Sequence, residues 1–235
     1  MPHPLKLLLF DLDGTLMLSG GAGSRALNTI FARHFGVANA FDGIQPHGMT
    51  DPMIFRELFE RHGLEISDEA GTIARLAEDY RRELEIEMPI SQQAHMMPGV
   101  VPLLERLAAA PGVVMGLLTG NFEPTARITH TRFDLNRFFP FGAFSTDSAN
   151  RSDLPPVAIR RAEEHVGGPI GAGPHVYVIG DTPMDVRCAL DNGVTSVGVA
   201  TTKFTAHDLR QAGAHIVLDS FADTEMTLNA LGVLS

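Results

Sequence analysis

Short apolar runs recur along the chain at residues 7–10, 113–118, 176–179, 194–199 and 216–218, each stopped by turn residues. Continuous apolar runs of this length mark strands buried on both faces, as in a parallel sheet. Between the later runs the spacing of apolar positions changes to the helical period, over 100–110, 124–132, 154–166, 183–192 and 206–211, with a further helix at the C-terminus. Strand and helix alternate, which predicts an α/β fold built on a doubly wound parallel sheet.

Residues 17–96 break the alternation. They hold no convincing strand and at least three amphipathic helical patterns, so they predict an inserted α-helical domain, with residues 1–16 and 97–235 forming the core. In the first pattern Leu27, Phe31 and Phe35 repeat at four-residue spacing beside Ala26 and Ile30. The second starts with Asp51 as the expected N-cap and Pro52 at the first helical position, followed by the pairs Ile54 with Leu58 and Phe55 with Phe59. The third aligns Ile73, Leu76, Ala77, Tyr80 and Leu84 on one face. These stripes suit core packing. The flanking segments 18–23, rich in glycine and serine, and 89–99, with two prolines, are the expected hinges, and an insertion tied by two such segments can close as a lid.

A formal net charge of -10 over 235 residues opposes binding to nucleic acid or anionic lipid. The apolar run after Met-Pro-His-Pro is too short for a signal peptide or a spanning helix. The single cysteine, Cys188, has no partner in the chain and fits a reducing compartment. The expected setting is cytoplasmic, with no nucleic-acid or membrane partner and the chain a monomer or homodimer; a small anionic substrate stays possible, since a metal ion and a few local donors can reverse the field inside one cleft.

The first strand runs into Asp11-Leu12-Asp13-Gly14-Thr15-Leu16 at its C-terminal end, where open α/β sheets place their ligand crevice. One carboxylate can attack phosphorus, and a second, two residues on, can protonate the leaving oxygen and later activate water. Asp-x-Asp-Gly is also ordinary turn material. A second strand closes on Thr119-Gly120-Asn121, and a third on Gly180-Asp181-Thr182-Pro183-Met184-Asp185. Asp181 stands at a strand exit suited to a Mg²⁺ ligand, while Thr182, Pro183 and Asp185 have the spacing of a helix capping box. Ten histidines form no metal-ligand pattern.

The set Asp11 to Leu16, Thr119, and Gly180-Asp181 with Asp185 resembles motifs one, two and four of the haloacid dehalogenase superfamily, and Gly48-Met49-Thr50-Asp51-Pro52 resembles a cap segment of its phosphoglycolate-phosphatase-like members. The resemblance spans essentially the whole chain. It implies a Mg²⁺-dependent phosphatase acting on a small-molecule phosphate ester, with Asp11 as nucleophile and Asp13 as general acid and base. Thr119, Gly120 and Asn121 would bind phosphate. The Asp11 carboxylate, the Asp13 backbone carbonyl and Asp181 would hold the metal, with Asp185 supporting them from behind. The insertion would be the family's small α-helical cap, with Thr50 and Asp51 candidates for specificity; Arg25, one turn into the first helix of the insertion, is a further candidate from its position, able to reach a substrate anion or to lie on a solvated helix face.

The chain departs from that pattern in one place. The usual motif-three lysine is missing, because the only lysines are Lys6 and Lys203, and Asn150-Arg151-Ser152-Asp153-Leu154-Pro155-Pro156 occupies its window. Arg151 is the expected substitute. A dehalogenase is disfavoured by Asp13, and a Schiff-base phosphonate hydrolase by the lack of a cap lysine. A sugar-phosphate mutase and a non-catalytic binding protein stay open.

Overall fold

The computed structural model describes residues 5–233; Met1-Pro-His-Pro and residues 234–235, which the expected core ranges include, lie outside the described residues. In chain order the elements are β1 (Lys6–Phe10), β2 (Met17–Leu18), α1 (Ala22–Phe35), α2 (Asp51–Arg61), α3 (Glu69–Ile90), β3 (His95–Met96), α4 (Val100–Ala109), β4 (Val113–Leu118), α5 (Glu123–Thr131), β5 (Gly142–Ala143), α6 (Leu154–Val166), β6 (Val176–Gly180), α7 (Pro183–Asp191), β7 (Thr195–Val199), α8 (Ala206–Gln211), β8 (Ile216–Leu218) and α9 (Thr224–Ala230). Short 3-10 turns cover Leu135–Phe138 and Arg151–Asp153.

Six strands form one parallel sheet in the order β5-β4-β1-β6-β7-β8. Side chains on each strand point alternately to the two faces. Leu8, Phe10, Leu117, Tyr177 and Ile179 enter one apolar cluster with α4, α5 and α9. Leu7, Leu9, Leu118, Val176 and Val178 enter the other, with α6 and α7. Both faces are covered, which is why these strands read as unbroken apolar runs. Chain order reverses beside β1, so the crevice of the sheet opens at the C-terminal ends of β1 and β6.

Helices α1, α2 and α3 share a third cluster, centred on Phe31, Phe55 and Phe59. Phe122, at the start of α5, joins it with its ring 6.2 Å from that of Phe55. Removing the fully buried Phe55 ring would cost about 3–5 kcal/mol.

Four features differ from the sequence reading. Residues 17–96 do contain strand: β2 and β3 pair antiparallel, Met17 with Met96 and Leu18 with His95, so the two connections between core and insertion form a ribbon. The N-cap of α2 is Thr50, in extended backbone, and Asp51 is its first helical residue. Strand β5, only two residues long, is a sixth strand that pairs with Leu117 and Leu118 at the sheet edge. Helix α3 continues through Pro89 because a proline in the last turn forfeits one bond only, and Arg132 Nη1 donates to the carbonyls of Met88 and Pro89 at 2.9 and 2.5 Å.

Candidate active site

The backbone builds the site before any side chain does. The Asp11 N–H donates to the Ile179 carbonyl at 2.8 Å, continuing the β1–β6 pairing by one residue and setting Asp11 beside the exit of β6. Asp181 follows β6 directly. Gly14 turns the chain at φ 84°, and a Cβ there would stand 2.5 Å from Asp181 Oδ2, so only glycine lets the Asp11–Leu16 loop fold over that carboxylate. At β4 the Thr119 N–H donates to Ala143 O at 3.1 Å, and the Thr119 hydroxyl donates to Asn121 Oδ1 at 2.7 Å.

Arg151 stands at the centre. Its side chain is buried, and Nη2 donates to Asp11 Oδ1 at 2.6 Å and also to Asp185 Oδ1. Asp185 is held in turn by a capping box: its Oδ2 accepts from the Thr182 N–H at 3.1 Å and the Thr182 hydroxyl at 2.7 Å, as the spacing predicts. Thr202 donates to Asp181 Oδ2, and the Thr15 hydroxyl lies 3.4 Å from Asp181 Oδ1.

Burial dominates the electrostatics. It raises Asp11 well above the usual carboxylate range despite Arg151, and it raises Asp181 to about 7, with Asp185 adding repulsion. Asp13 rises to about 6, again through burial, although Asn121 and Arg151 pull the other way. Its carboxyl is open to the cleft, but that cleft is itself walled by protein. Burial alone would lower the Arg151 pKa; Asp185 and Asp11 reverse this, so the guanidinium is permanently charged. Cys188 donates from Sγ to the Arg151 carbonyl at 3.2 Å, and burial pushes its thiol up to about 12, leaving it inert.

These residues fit a divalent cation. Carboxylate oxygens of Asp11, Asp181 and Asp185 lie within 4.8 Å of one another, a hard all-oxygen donor set. Burial and, after it, mutual repulsion raise Asp11 and Asp181, and a bound cation would offset both. Asp185 is already engaged by Arg151 and Thr182, which leaves Asp11 and Asp181 as the side-chain donors. Among the described residues no hydrogen bond reaches the Asp13 backbone carbonyl.

Asp11, Asp13, Thr119, Gly120, Asn121, Arg151 and Asp181 all line one cavity of about 410 Å³ between the sheet edge and α1–α3. Two of the specificity candidates do not line it. Arg25 turns outward to Glu87, Nε to Oε2 at 2.6 Å, and to the Gly20 carbonyl. The Thr50 hydroxyl donates to Ala149 O at 2.8 Å, where the insertion meets the core. Asp51 does line it, with Oδ2 accepting from the Phe122 N–H at 2.7 Å, and burial raises it to about 7. Thr15, inside the Asp11–Leu16 motif, Thr202 and Tyr80 complete the site; the last two carry no local sequence signal, save that Thr202 lies just past the end of β7, on the edge that carries the other motifs.

A doubly wound α/β sheet with a cluster of acids and one arginine at its switch point, roofed by helices, defines an enzyme acting on an anionic group. The chain belongs to the haloacid dehalogenase-like hydrolases, whose family pattern matches residues 5–193. It is 28% identical over 200 residues to a phosphoglycolate phosphatase of Pseudomonas savastanoi pv. phaseolicola, covering 83% of this chain and 69% of that protein. It is similar in fold to a predicted phosphatase from Clostridium acetobutylicum, with a TM-score of 0.70, 22% identity and 96% and 99% of the two chains covered. CbbY from Rhodobacter sphaeroides, solved in complex with phosphate, gives a TM-score of 0.70 at 22% identity over 93% and 96%. Among the described residues no helix is long and apolar enough to cross a membrane.

Proposed function

We propose that this chain is a Mg²⁺-dependent phosphoric monoester hydrolase working through an aspartyl phosphate on Asp11. The observation that carries the reading is the Asp11 carboxylate paired with Arg151 at 2.6 Å and crowded by Asp181, on a cleft that Asp13 also lines. An Asp11 oxygen attacks phosphorus and the bond to the alcohol oxygen breaks, while protonated Asp13 gives its proton to that leaving oxygen. Asp13, now a carboxylate, takes a proton from water as the water oxygen attacks the aspartyl phosphate, freeing inorganic phosphate and restoring both acids.

Arg151 offsets repulsion between the Asp11 carboxylate and the incoming phosphate and fixes the direction of attack. The amide of Asn121, and the Thr119 hydroxyl once it turns from Asn121 Oδ1, would hold phosphate oxygens. Asp11, Asp181 and the Asp13 carbonyl would hold Mg²⁺, which when bound supplies positive charge for the phosphate oxygens. Residues 17–96 act as the cap: Gly120 must be glycine, since a Cβ would lie 2.4 Å from the Met49 carbonyl. So closed a cleft admits small esters only.

The test is release of inorganic phosphate from p-nitrophenyl phosphate with and without Mg²⁺, by the wild type and by Asp11→Asn. Turnover by a folded Asp11→Asn variant would defeat the covalent route. Isomerisation of a sugar phosphate without phosphate release would place the site with the mutases instead.

A further inference from the structure

The wall of the cleft contributed by the insertion has a chemistry of its own. Leu27 of α1, Phe41 and Met49 of the following loop, Ile54 of α2, and Tyr80 and Leu84 of α3 supply its large apolar and aromatic side chains. Among the described residues Arg151 and His47 are the basic residues lining the cavity; Arg151 is committed to Asp11 and Asp185 at the phosphate end, and burial, with the Lys203 charge, holds His47 toward its neutral form. Two cations near the insertion are engaged elsewhere: Arg25 is ion-paired with Glu87, and Lys203 donates to Gln45 at 3.3 Å outside the cavity lining. The acids that do face this space, Asp13 and Asp51, bring no positive charge to a second anion. The Ser24 and Thr129 hydroxyls are turned to the carbonyls of Gly21 and Thr125, both at 2.9 Å.

The insertion is already docked on the core, so this lining is that of the closed cleft. The Asp51 N–H donates to Gly120 O at 2.7 Å, and Phe122 and Ala149 make the further junction bonds. An ester bound here has its alcohol portion enclosed by these side chains.

We infer that the enzyme's substrate is the phosphate monoester of an uncharged, predominantly apolar small alcohol, and that an ester carrying a carboxylate, such as 2-phosphoglycolate, is a poor substrate. The inference rests on the phosphatase reading above and narrows it. Burying a substrate carboxylate without a cation, beside two acidic side chains that supply no positive charge, forfeits its hydration with no compensating pair. An apolar group of the same shape instead gains from burial against Leu27, Ile54 and Leu84. A cavity of about 410 Å³ lies toward the small end of ligand pockets, roughly 300–1,000 Å³, which suits a short branched chain or a single ring.

The experiment compares kcat/KM, at saturating Mg²⁺, for 2-phosphoglycolate, glycerol 1-phosphate and 2-methylpropyl phosphate; the last keeps the branching of phosphoglycolate with an isopropyl group in place of the carboxylate. The expected order puts 2-methylpropyl phosphate first, about tenfold above glycerol 1-phosphate and about 10²-fold or more above 2-phosphoglycolate. Met49→Lys, at a half-buried position on the cleft, should raise the ratio of 2-phosphoglycolate to 2-methylpropyl phosphate by about tenfold or more. Met49→Leu should leave it unchanged. Wild-type preference for 2-phosphoglycolate or for glycerol 1-phosphate would overturn this inference and leave the phosphatase reading standing. Absence of phosphate release from every ester, p-nitrophenyl phosphate included, would overturn both.

Discussion

Replacing Arg151 by alanine should damage stability and catalysis together, and the two losses should carry different signatures. The guanidinium lies 2.6 Å from Asp11 and is bonded to Asp185, with all three side chains buried. At an effective dielectric constant near 20, a contact of that length represents about 6 kcal/mol of gross attraction. Desolvation of Arg151 offsets part of it, so truncation is expected to cost about 3–5 kcal/mol, the range for leaving a buried charge unpaired. The carboxylates left behind can escape by taking up protons. A carboxyl whose pKa in the fold lies above its unfolded value contributes least instability below that unfolded value, about 3.9, and stability is then lost as pH rises through the folded value. Asp181 already sits at about 7 and Asp11 well above its usual range, so the deficit of Arg151→Ala should be small near pH 4 and grow through pH 7. Mg²⁺ should restore part of it. Urea unfolding at pH 4.5 and pH 8, with and without Mg²⁺, reads all of this, and kcat/KM should fall by about 10²-fold or more. Arg151→Lys should recover part only, since an ammonium lacks the planar fork. Arg160, exposed on α6, is the proper control, because Arg161 is itself bonded to Asp147 and Gly142 and anchors the β5 edge. A deficit independent of pH, or a kcat/KM loss no greater than that of Arg160→Ala, would refute the reasoning.

Three further outcomes are expected. Asp181→Ala should abolish Mg²⁺-dependent turnover, and chelation should do the same to the wild type; rates unchanged after exhaustive metal removal would show that Asp181 holds no required cation. Because Asp13 must carry a proton to act as the acid and titrates at about 6, kcat/KM for an alkyl phosphate should decline above that pH, and Asp13→Asn should erase the decline with most of the activity. Asp51 is raised to about 7, so its charged form costs stability progressively from about pH 4 to 7; Asp51→Asn, whose oxygen can still accept from Phe122, should match the wild type near pH 4 and exceed it by up to about 4 kcal/mol above pH 7 in urea melts.

Much of this was legible because the chemistry sits at strand exits. Asp11, Thr119 and Asp181 each follow a buried apolar run, and a parallel sheet gathers the C-terminal ends of its strands at one edge whatever lies between them. The capping box on α7 was local and therefore readable. Contacts set by distant packing were not: Thr202 reaches Asp181 from beyond β7, and Asp51 bonds Phe122 across 71 residues. Arg25 misled for a related reason, since its partner Glu87 is one helical face away in space and 62 residues away in sequence. The pair β2–β3 and strand β5, at two residues each, are too short to leave a periodic pattern.

If residues 17–96 act as the proposed cap, the junction between insertion and core ties substrate exchange to the proposed phosphate-binding loop. The Asp51 N–H bonds the Gly120 carbonyl, Asp51 Oδ2 accepts from Phe122, and the Thr50 hydroxyl bonds Ala149. At a net of about 0.5–1.5 kcal/mol each, these bonds contribute a few kcal/mol to closure, beside the packing of the Phe122 ring in the insertion's cluster. Two of these bonds are made to the segment Thr119 to Phe122, which in the proposed mechanism would present Thr119 and Asn121 to the phosphate. Opening the proposed cap would therefore release a constraint on that loop, and closing would restore it. A substrate that let the cap seat completely would align its own phosphate donors, whereas one whose alcohol portion propped the cap open would leave them loose. Selection by the apolar wall of the insertion is then expected at phosphorus as a loss in kcat and not in binding alone.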